Sequence, residues 1–259
     1  MPDFDTSVPH VARVYDYWLG GKDNFAADRA MGERTLQAYP NLVYSVRANR
    51  AFLARTVRFL ANQGIRQFLD IGTGIPTANN THEVAQGAAP ESRIVYVDND
   101  PIVLSHAKAL LKSTPEGACA YLDADLRDPD TILAGAANTL DFARPVAVML
   151  IAVMHFIGDD AEASAIMNRL MAACVPGSYV ALSHAASDID AAQMAEMIRR
   201  LNESTAEKTT LRDRAGVTRL FDGLELVEPG VIRAAEWRPD TDLEAASPAA
   251  LWGGVARKP

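Results

Sequence analysis

One short stretch of the chain, QFLDIGTGIPT over residues 67–77, decides the fold. Residues 67–71 form a short apolar run that is typical of a buried strand, and a glycine-rich turn follows directly. Gly72 and Gly74 let the backbone turn sharply and approach a ligand closely. A helix predicted over 77–86 would point its N-terminal amides at that ligand. The stretch therefore predicts a strand, a ligand-binding turn and a helix; a plain tight turn without a ligand is the alternative interpretation.

The same alternation of strand and helix continues beyond this unit. Further strands are predicted over 93–97, 118–122, 145–151 and 179–183, and the predicted helices between and after them cover 101–112, 129–139, 159–173 and 189–202. Alternation at this spacing predicts an α/β fold with a doubly wound, mostly parallel sheet. After these elements, a short helix over 217–221 and two late strands over 225–227 and 251–256 are predicted, with a loop over 238–248.

The first 64 residues are predicted to be helical. Val11, Val14, Tyr15 and Trp18 recur at helical spacing, and Ser7 is the predicted cap of that helix. Two further helices are predicted over 25–37 and 42–62. We expect residues 1–64 to form an N-terminal helical extension and residues 65–259 to form a Rossmann-like domain, together one compact unit.

The junction around Gly20 and Gly21 has two interpretations. In the first interpretation, the preceding helices fold over the strand tips as a lid that excludes water, and Lys22, Asp23 and Asn24 bring polar groups to the site. Alternatively, the segment is a capped junction between two helices, with glycine ending the first and Asn24 beginning the second.

The composition limits the class of partner. The chain has 259 residues, with 25 basic and 33 acidic side chains and a net charge of −8. Binding to nucleic acid without sequence specificity needs clustered Lys and Arg, so nucleic acid is not the expected partner. An acidic surface suits a protein that acts on small molecules or on other proteins. No apolar stretch reaches the roughly 20 residues of a membrane helix, so no membrane association is expected. Cys119 and Cys174 are far apart, which indicates core cysteines in a reducing cytoplasm and neither a disulfide nor a metal site.

Acidic residues follow the second and third predicted strands. Asp98 stands at the tip of the second strand, where a carboxylate can accept both hydroxyls of a ribose. Asp100 precedes Pro101 and is expected to cap the next helix. After the third strand, Asp125 is the expected acceptor for the exocyclic amine of adenine while the next backbone amide donates to the ring; Asp123 is the rival.

The motif order argues against a nicotinamide dinucleotide. The dinucleotide fingerprint needs a third glycine, and Pro76 and Thr77 stand in its region. An acid two residues before the first glycine, Asp70, is more typical of methyltransferases.

The phrase Asp70–Gly74 resembles the first motif of class I S-adenosylmethionine-dependent methyltransferases, and residues 95–98, VYVD, resemble their second. The opening phrase ARVYDYWLGGKDNFAADR over 12–29 and the closing phrase WGGVARKP over 252–259 are similar to a bacterial family labelled S-adenosyl methyltransferase. The resemblance covers nearly the whole chain. It implies a Rossmann-like fold and S-adenosylmethionine as the cofactor, and no catalytic residue can be carried over from it.

The residues expected to contact the cofactor are Asp70, Gly72, Thr73, Gly74, Asp98, Asn99, Asp125, Leu126 and Asn24. His155 follows the fourth strand and is the candidate general base, although a lone histidine among apolar neighbours is also typical of a core. Glu228, Trp237 and Arg238 are candidates for acceptor contacts. We expect methyl transfer to a small-molecule acceptor; the alternatives are a regulatory protein that binds the cofactor without turnover and an NAD(P)-dependent oxidoreductase.

Overall fold

A computed structural model describes residues 5–103, 105 and 112–259 of the chain. Three helices come first: α1 (Val11–Leu19), α2 (Ala26–Ala38) and α3 (Leu42–Asn62). The strands are β1 (Gln67–Ile71), β2 (Arg93–Asp98), β3 (Ala118–Asp123), β4 (Ala147–Ile151), β5 (Tyr179–Ala185), β6 (Glu225–Leu226), β7 (Ile232–Arg233) and β8 (Leu251–Arg257). The later helices are α4 (Thr81–Ala88), α5 (Pro129–Ala136), α6 (Asp160–Ala172), α7 (Ala191–Ser204), α8 (Arg214–Arg219) and α9 (Asp242–Ala245), and a short 3-10 turn covers Met154–Phe156.

The strands form a mixed sheet in the order β3-β2-β1-β4-β5-β8-β6, and β7 also pairs with β8. β1 to β5 are parallel, while β8 runs antiparallel to β5. The strand order reverses between β1 and β4, and open α/β sheets bind their ligands at such a point. The α/β fold class with a mostly parallel sheet is therefore confirmed.

Helices cover both faces of the sheet. Alternate residues of β1 point to opposite faces, so Phe68 belongs to one apolar core and Leu69 and Ile71 to the other. Every residue of β1 is buried, as expected for a strand covered on both sides. The architecture is a three-layer sandwich in which the tips of the parallel strands remain available to a ligand.

The N-terminal helix α3 is part of this sandwich. Its buried side chains Phe52, Leu53, Val57 and Leu60 share one core with Phe68 of β1. Burying each such side chain contributes about 1.5–3 kcal/mol. The boundary at residue 64 thus lies between a helix and a strand of one core, and α1 packs on α2 and α3 at the edge of that layer.

Several predicted ends differ from the structure. The cap of α1 is His10, whose Nδ1 accepts from the Ala12 amide, and not Ser7, which binds Asp5. The helix predicted from residue 77 begins at Thr81, because Asn80 precedes it and accepts from the amide of Thr77. Most of the helix predicted over 101–112 lies outside the described residues.

The predicted loop over 238–248 contains a helix. Thr241 caps α9 by accepting a hydrogen bond from the amide of Glu244 over 3.2 Å. A threonine followed three residues later by a glutamate is the sequence signature of a capping box, so this helix could have been predicted. Among the described residues, the structure contains no helix that is both long and apolar enough to cross a membrane.

Candidate functional site

A cavity of about 210 Å³ lies at the carboxyl ends of β1 to β4, beside the reversal of strand order. Eight of the nine predicted cofactor contacts line it, as does the predicted base His155. These residues are Asp70, Gly72, Thr73, Gly74, Asp98, Asn99, Asp125 and Leu126. Asn24 is not among the lining residues.

The glycine turn forms one wall of the cavity. Gly72 has φ +74° and donates its amide hydrogen to the carbonyl of Val97 over 2.8 Å. A Cβ at Gly72 would lie 2.4 Å from the Val153 side chain, so glycine is required both for the conformation and for space. Gly74 has φ +67°, and a Cβ there would meet nothing within 4 Å. The turn therefore leaves open space at Gly74, where a ligand can approach the backbone.

Asp98 lies directly across from this turn. Its Oδ2 accepts from the amide of Gly74 over 2.8 Å, and its Oδ1 accepts from the amide of Asp100 over 3.0 Å. Burial is the largest influence on its pKa, which is raised despite these two amides. A carboxylate has about four lone-pair sites, so two amides leave acceptor capacity for a diol.

Asp70 is a buried carboxyl at the end of β1. The hydroxyl of Thr81 donates to its Oδ2 over 2.6 Å. Burial, with a smaller contribution from nearby Asp98, raises the pKa of Asp70 to about 6, although the hydrogen bond from Thr81 and the charge of Arg50 oppose the shift. A cationic ligand in the cavity would therefore favour the ionised form of Asp70.

The loop after β3 adds a polar and an apolar group. The amide of Arg127 donates to Asp125 over 2.8 Å, and the side chain of Asn99 donates to it over 3.2 Å. Leu126 is buried beside it and lines the same cavity. Asp123 is exposed and is not a lining residue. Of the two acids considered for adenine, only Asp125 lines the cavity.

Three helices contribute apolar side chains to the lining of the cavity. The apolar residues of α7 recur at helical spacing and form a stripe, as do those of α1 and α3. We call this part of the cavity the helical chamber; its apolar and aromatic residues are Val11, Tyr15, Trp18, Leu19, Leu42, Val46, Leu53, Met194, Met197, Ile198 and Leu201. Within it, the hydroxyl of Tyr15 accepts from Asn49 over 2.9 Å. The chamber is suited to an apolar molecule with few polar groups.

The segment after α1 encloses the carboxylate of Asp16. The Asp23 amide and the Asn24 side chain donate to Oδ2 of Asp16 over 2.9 and 2.8 Å. A Cβ at Gly21 would lie 2.0 Å from the other oxygen, Oδ1. Asp16, which was not predicted from the sequence, lines the cavity, and Asn24 donates to its carboxylate.

This segment also resolves how the two helices are joined. Gly20 ends α1 with φ +82°, as the junction interpretation expects. α2, however, begins after Phe25, whose amide donates to Asp28 over 2.8 Å. Asn24 is therefore not the cap of α2, because its side chain is engaged by Asp16 and Arg29.

His155 faces the cavity in an environment that disfavours its charged form. Burial lowers its pKa to about 3, and His184 and Arg212 add to the effect. The residue is half-buried and lines the cavity. Its Nδ1 is buried without a hydrogen-bond partner. His184 is a separate structural group, since its Nε2 lies 2.9 Å from Arg212 and its Nδ1 lies 2.9 Å from a carbonyl.

The three C-terminal acceptor candidates lie elsewhere. Trp237 is fully buried between Phe52 and Phe59, with ring centroids 5.6 Å from each. Arg238 stacks on Phe59 at 4.2 Å and donates to the carbonyl of Glu228. None of the three lines the cavity, because the chain uses them to pack the C-terminal segment against α3.

Comparisons with known proteins agree on the family. The family model described as S-adenosyl methyltransferase matches residues 1–259. A DUF574 family protein of Streptomyces avermitilis MA-4680 is 45% identical, with a TM-score of 0.95 over 98% of this chain and 99% of that one. A Thermobifida fusca YX protein for which methyltransferase activity is proposed is 42% identical, with a TM-score of 0.90 over 99% of this chain and 97% of that one.

The search of curated proteins finds no match. The family model spans the whole chain, and two solved structures above 40% identity share its fold from end to end. The chain belongs to the S-adenosyl methyltransferase family and is a methyltransferase that uses S-adenosylmethionine.

Proposed function

We propose that this methyltransferase acts on a small, largely apolar acceptor bound in the helical chamber. The observation that carries the proposal is that two kinds of residue line one cavity. Carboxylates and a glycine turn lie at the strand tips, whereas α1, α3 and α7 contribute apolar side chains. A polar cofactor and an apolar acceptor would meet in this cavity.

The residues at the strand tips fit S-adenosylmethionine. The open space at Gly74 admits the cofactor against the backbone, and Asp98 has acceptor capacity for the ribose hydroxyls. Asp125 and Leu126 would hold adenine, one through its carboxylate and the other through its amide and apolar contact. Asp70 and Thr73 would lie at the methionine end, where a carboxylate can face the ammonium group.

The protein contributes alignment and exclusion of water. The bound cofactor supplies an electrophilic methyl group on a sulfonium, which an acceptor displaces directly. The apolar walls of the helical chamber keep water away from the acceptor and hold it in line with that methyl group. His155, held neutral by burial, contributes an uncharged ring to the lining of the cavity, so it does not repel the cationic cofactor.

A labelling experiment tests the class of acceptor. The protein is incubated with methyl-labelled S-adenosylmethionine and a bacterial extract, which is then separated into organic-soluble small molecules, protein and nucleic acid. We expect the label in the organic-soluble fraction, and less of it with the Asp98→Ala variant when the cofactor concentration is limiting. Label that appears in protein or nucleic acid would contradict the proposal.

A further inference from the structure

We infer that Arg50, on the N-terminal helix α3, binds the carboxylate of the cofactor's methionine moiety. The inference rests on the proposed function, which places the methionine end of the cofactor at the glycine turn. Arg50 would be a residue that binds the cofactor from a helix and not from the strand tips.

The first observation is the position of Arg50. It lines the cavity together with Gly72, Gly74 and Thr77. It lies on the same stripe of α3 as Val46 and Leu53, which face the helical chamber. Its guanidinium reaches the segment after the glycine turn, because Nη2 donates to the carbonyls of Ala78 and Asn79.

The second observation is that Arg50 has donor capacity to spare. Its Nη2 makes two long hydrogen bonds, 3.2 and 3.3 Å, to the carbonyls of Ala78 and Asn79. Its Nε is buried without a hydrogen-bond partner. Within residues 5–103, 105 and 112–259, no carboxylate lies within ion-pair distance of Arg50. An unpaired cation with a buried, unused donor matches the planar carboxylate of an amino acid.

The third observation is that many of the backbone donors of the turn are engaged elsewhere. The amides of Gly72 and Thr73 donate to the Val97 carbonyl, and the amide of Gly74 donates to Asp98. Near the start of α4, the amides of Asn80 and His82 donate to Glu83 and to the hydroxyl of Tyr96. The helix N-terminus, whose amides the sequence predicts to point at the ligand, therefore has its donors largely committed.

Charge complementarity supports the same arrangement. The amino-acid end of the cofactor carries one ammonium and one carboxylate. Asp70 supplies the negative partner on the strand side of the cavity, and Arg50 supplies the positive partner on the helix side. One zwitterion would then connect β1 to α3, and α3 also walls the helical chamber.

The test compares two ligands that differ in one group. S-adenosylmethionine and its decarboxylated form share adenosine, sulfonium and amine, so only the carboxylate distinguishes them. Calorimetry is performed with the wild type, Arg50→Gln and Arg50→Lys. Arg47→Gln is the matched control, because Arg47 is exposed on the same helix and does not line the cavity.

For the wild type we expect tighter binding of S-adenosylmethionine than of its decarboxylated form. Arg50→Gln should weaken S-adenosylmethionine about 10- to 100-fold and change the decarboxylated ligand by less than about twofold. Arg50→Lys should recover part of the loss, and Arg47→Gln should match the wild type for both ligands.

The other outcomes distinguish failure of the inference about Arg50 from failure of the proposed function. Equal weakening of both ligands by Arg50→Gln would overturn the inference, because Arg50 would then act by holding the loop at Ala78 and Asn79. No effect on either ligand would also overturn it, and the proposed function would stand. A folded wild type that binds neither ligand would overturn the proposed function itself.

Discussion

Gly74 donates its amide hydrogen to Oδ2 of Asp98 over 2.8 Å, and this bond joins the turn after β1 to the tip of β2. The glycine turn and Asp98, which the sequence predicts to contact a ligand, are thus joined by one hydrogen bond. Because Asp98 also accepts from Asp100, its orientation is fixed before a ligand arrives. The site is preorganised, which reduces the entropy cost of binding.

The Asp98→Ala substitution should weaken binding of S-adenosylmethionine by about 1.5–3 kcal/mol, since it removes hydrogen bonds to a charged acceptor. Calorimetry measures the change. Asp123→Ala is the control, because Asp123 is an exposed carboxylate at the tip of the neighbouring strand and should bind the cofactor as the wild type does. Wild-type affinity in Asp98→Ala would mean that the ribose is held elsewhere.

The affinity for S-adenosylmethionine should fall as the pH drops below about 6. The pKa of Asp70 is about 6 in the free protein, and the cationic end of the cofactor favours the carboxylate and lowers that pKa in the complex. Binding therefore releases a proton at low pH and is independent of this group above its free pKa. Calorimetry between pH 5 and 8 checks the trend. Asp70→Asn should flatten it, and a profile unchanged by that substitution would assign the pH dependence to another group.

His155 should remain neutral from pH 5 to 8. Its pKa is lowered to about 3 by burial, with His184 and Arg212 nearby. NMR of the imidazole carbons, assigned by comparison with His155→Gln, measures the titration. An inflection near pH 6.5 would show that the ring is open to water and would restore His155 as a candidate general base.

Gly21→Ala should lower the free energy of unfolding by about 1–3 kcal/mol. The new Cβ would lie 2.0 Å from Asp16 Oδ1, and that carboxylate cannot move without losing its bonds to Asp23 and Asn24. Urea unfolding provides the measurement. Gly87→Ala is the matched control: a Cβ there meets nothing within 4 Å, so stability should be unchanged or up to about 1 kcal/mol higher. Equal stability of the two variants would show that Asp16 is not enclosed as described.

Much of the fold could be predicted because its signals are local. The apolar run over 67–71 and the glycines that follow it define β1 and its turn, and the bounds of α3 match the prediction at both ends. The start of α4 was misplaced because a glycine turn is not always followed at once by a helix. The spacing of Asn80 and Glu83 marks the true start.

The helical chamber, which we propose as the acceptor site, could not be predicted because it depends on tertiary packing. The stripes of α1 and α7 are visible as amphipathic patterns, but nothing in either pattern says that the two helices face one cavity. Trp237 and Arg238 looked available in the sequence, whereas the fold buries one and stacks the other against α3. The contact between Asn24 and Asp16 could not be predicted for the same reason, since Asp16 is eight residues away on another element.

A crystal structure with bound S-adenosylhomocysteine tests the central claim most directly. We predict that the ribose hydroxyls lie within hydrogen-bond distance of Asp98 and that adenine lies against Leu126 with its amine toward Asp125. An adenosyl group bound away from the tips of β1, β2 and β3, with Asp98 still paired only to Gly74 and Asp100, would contradict it.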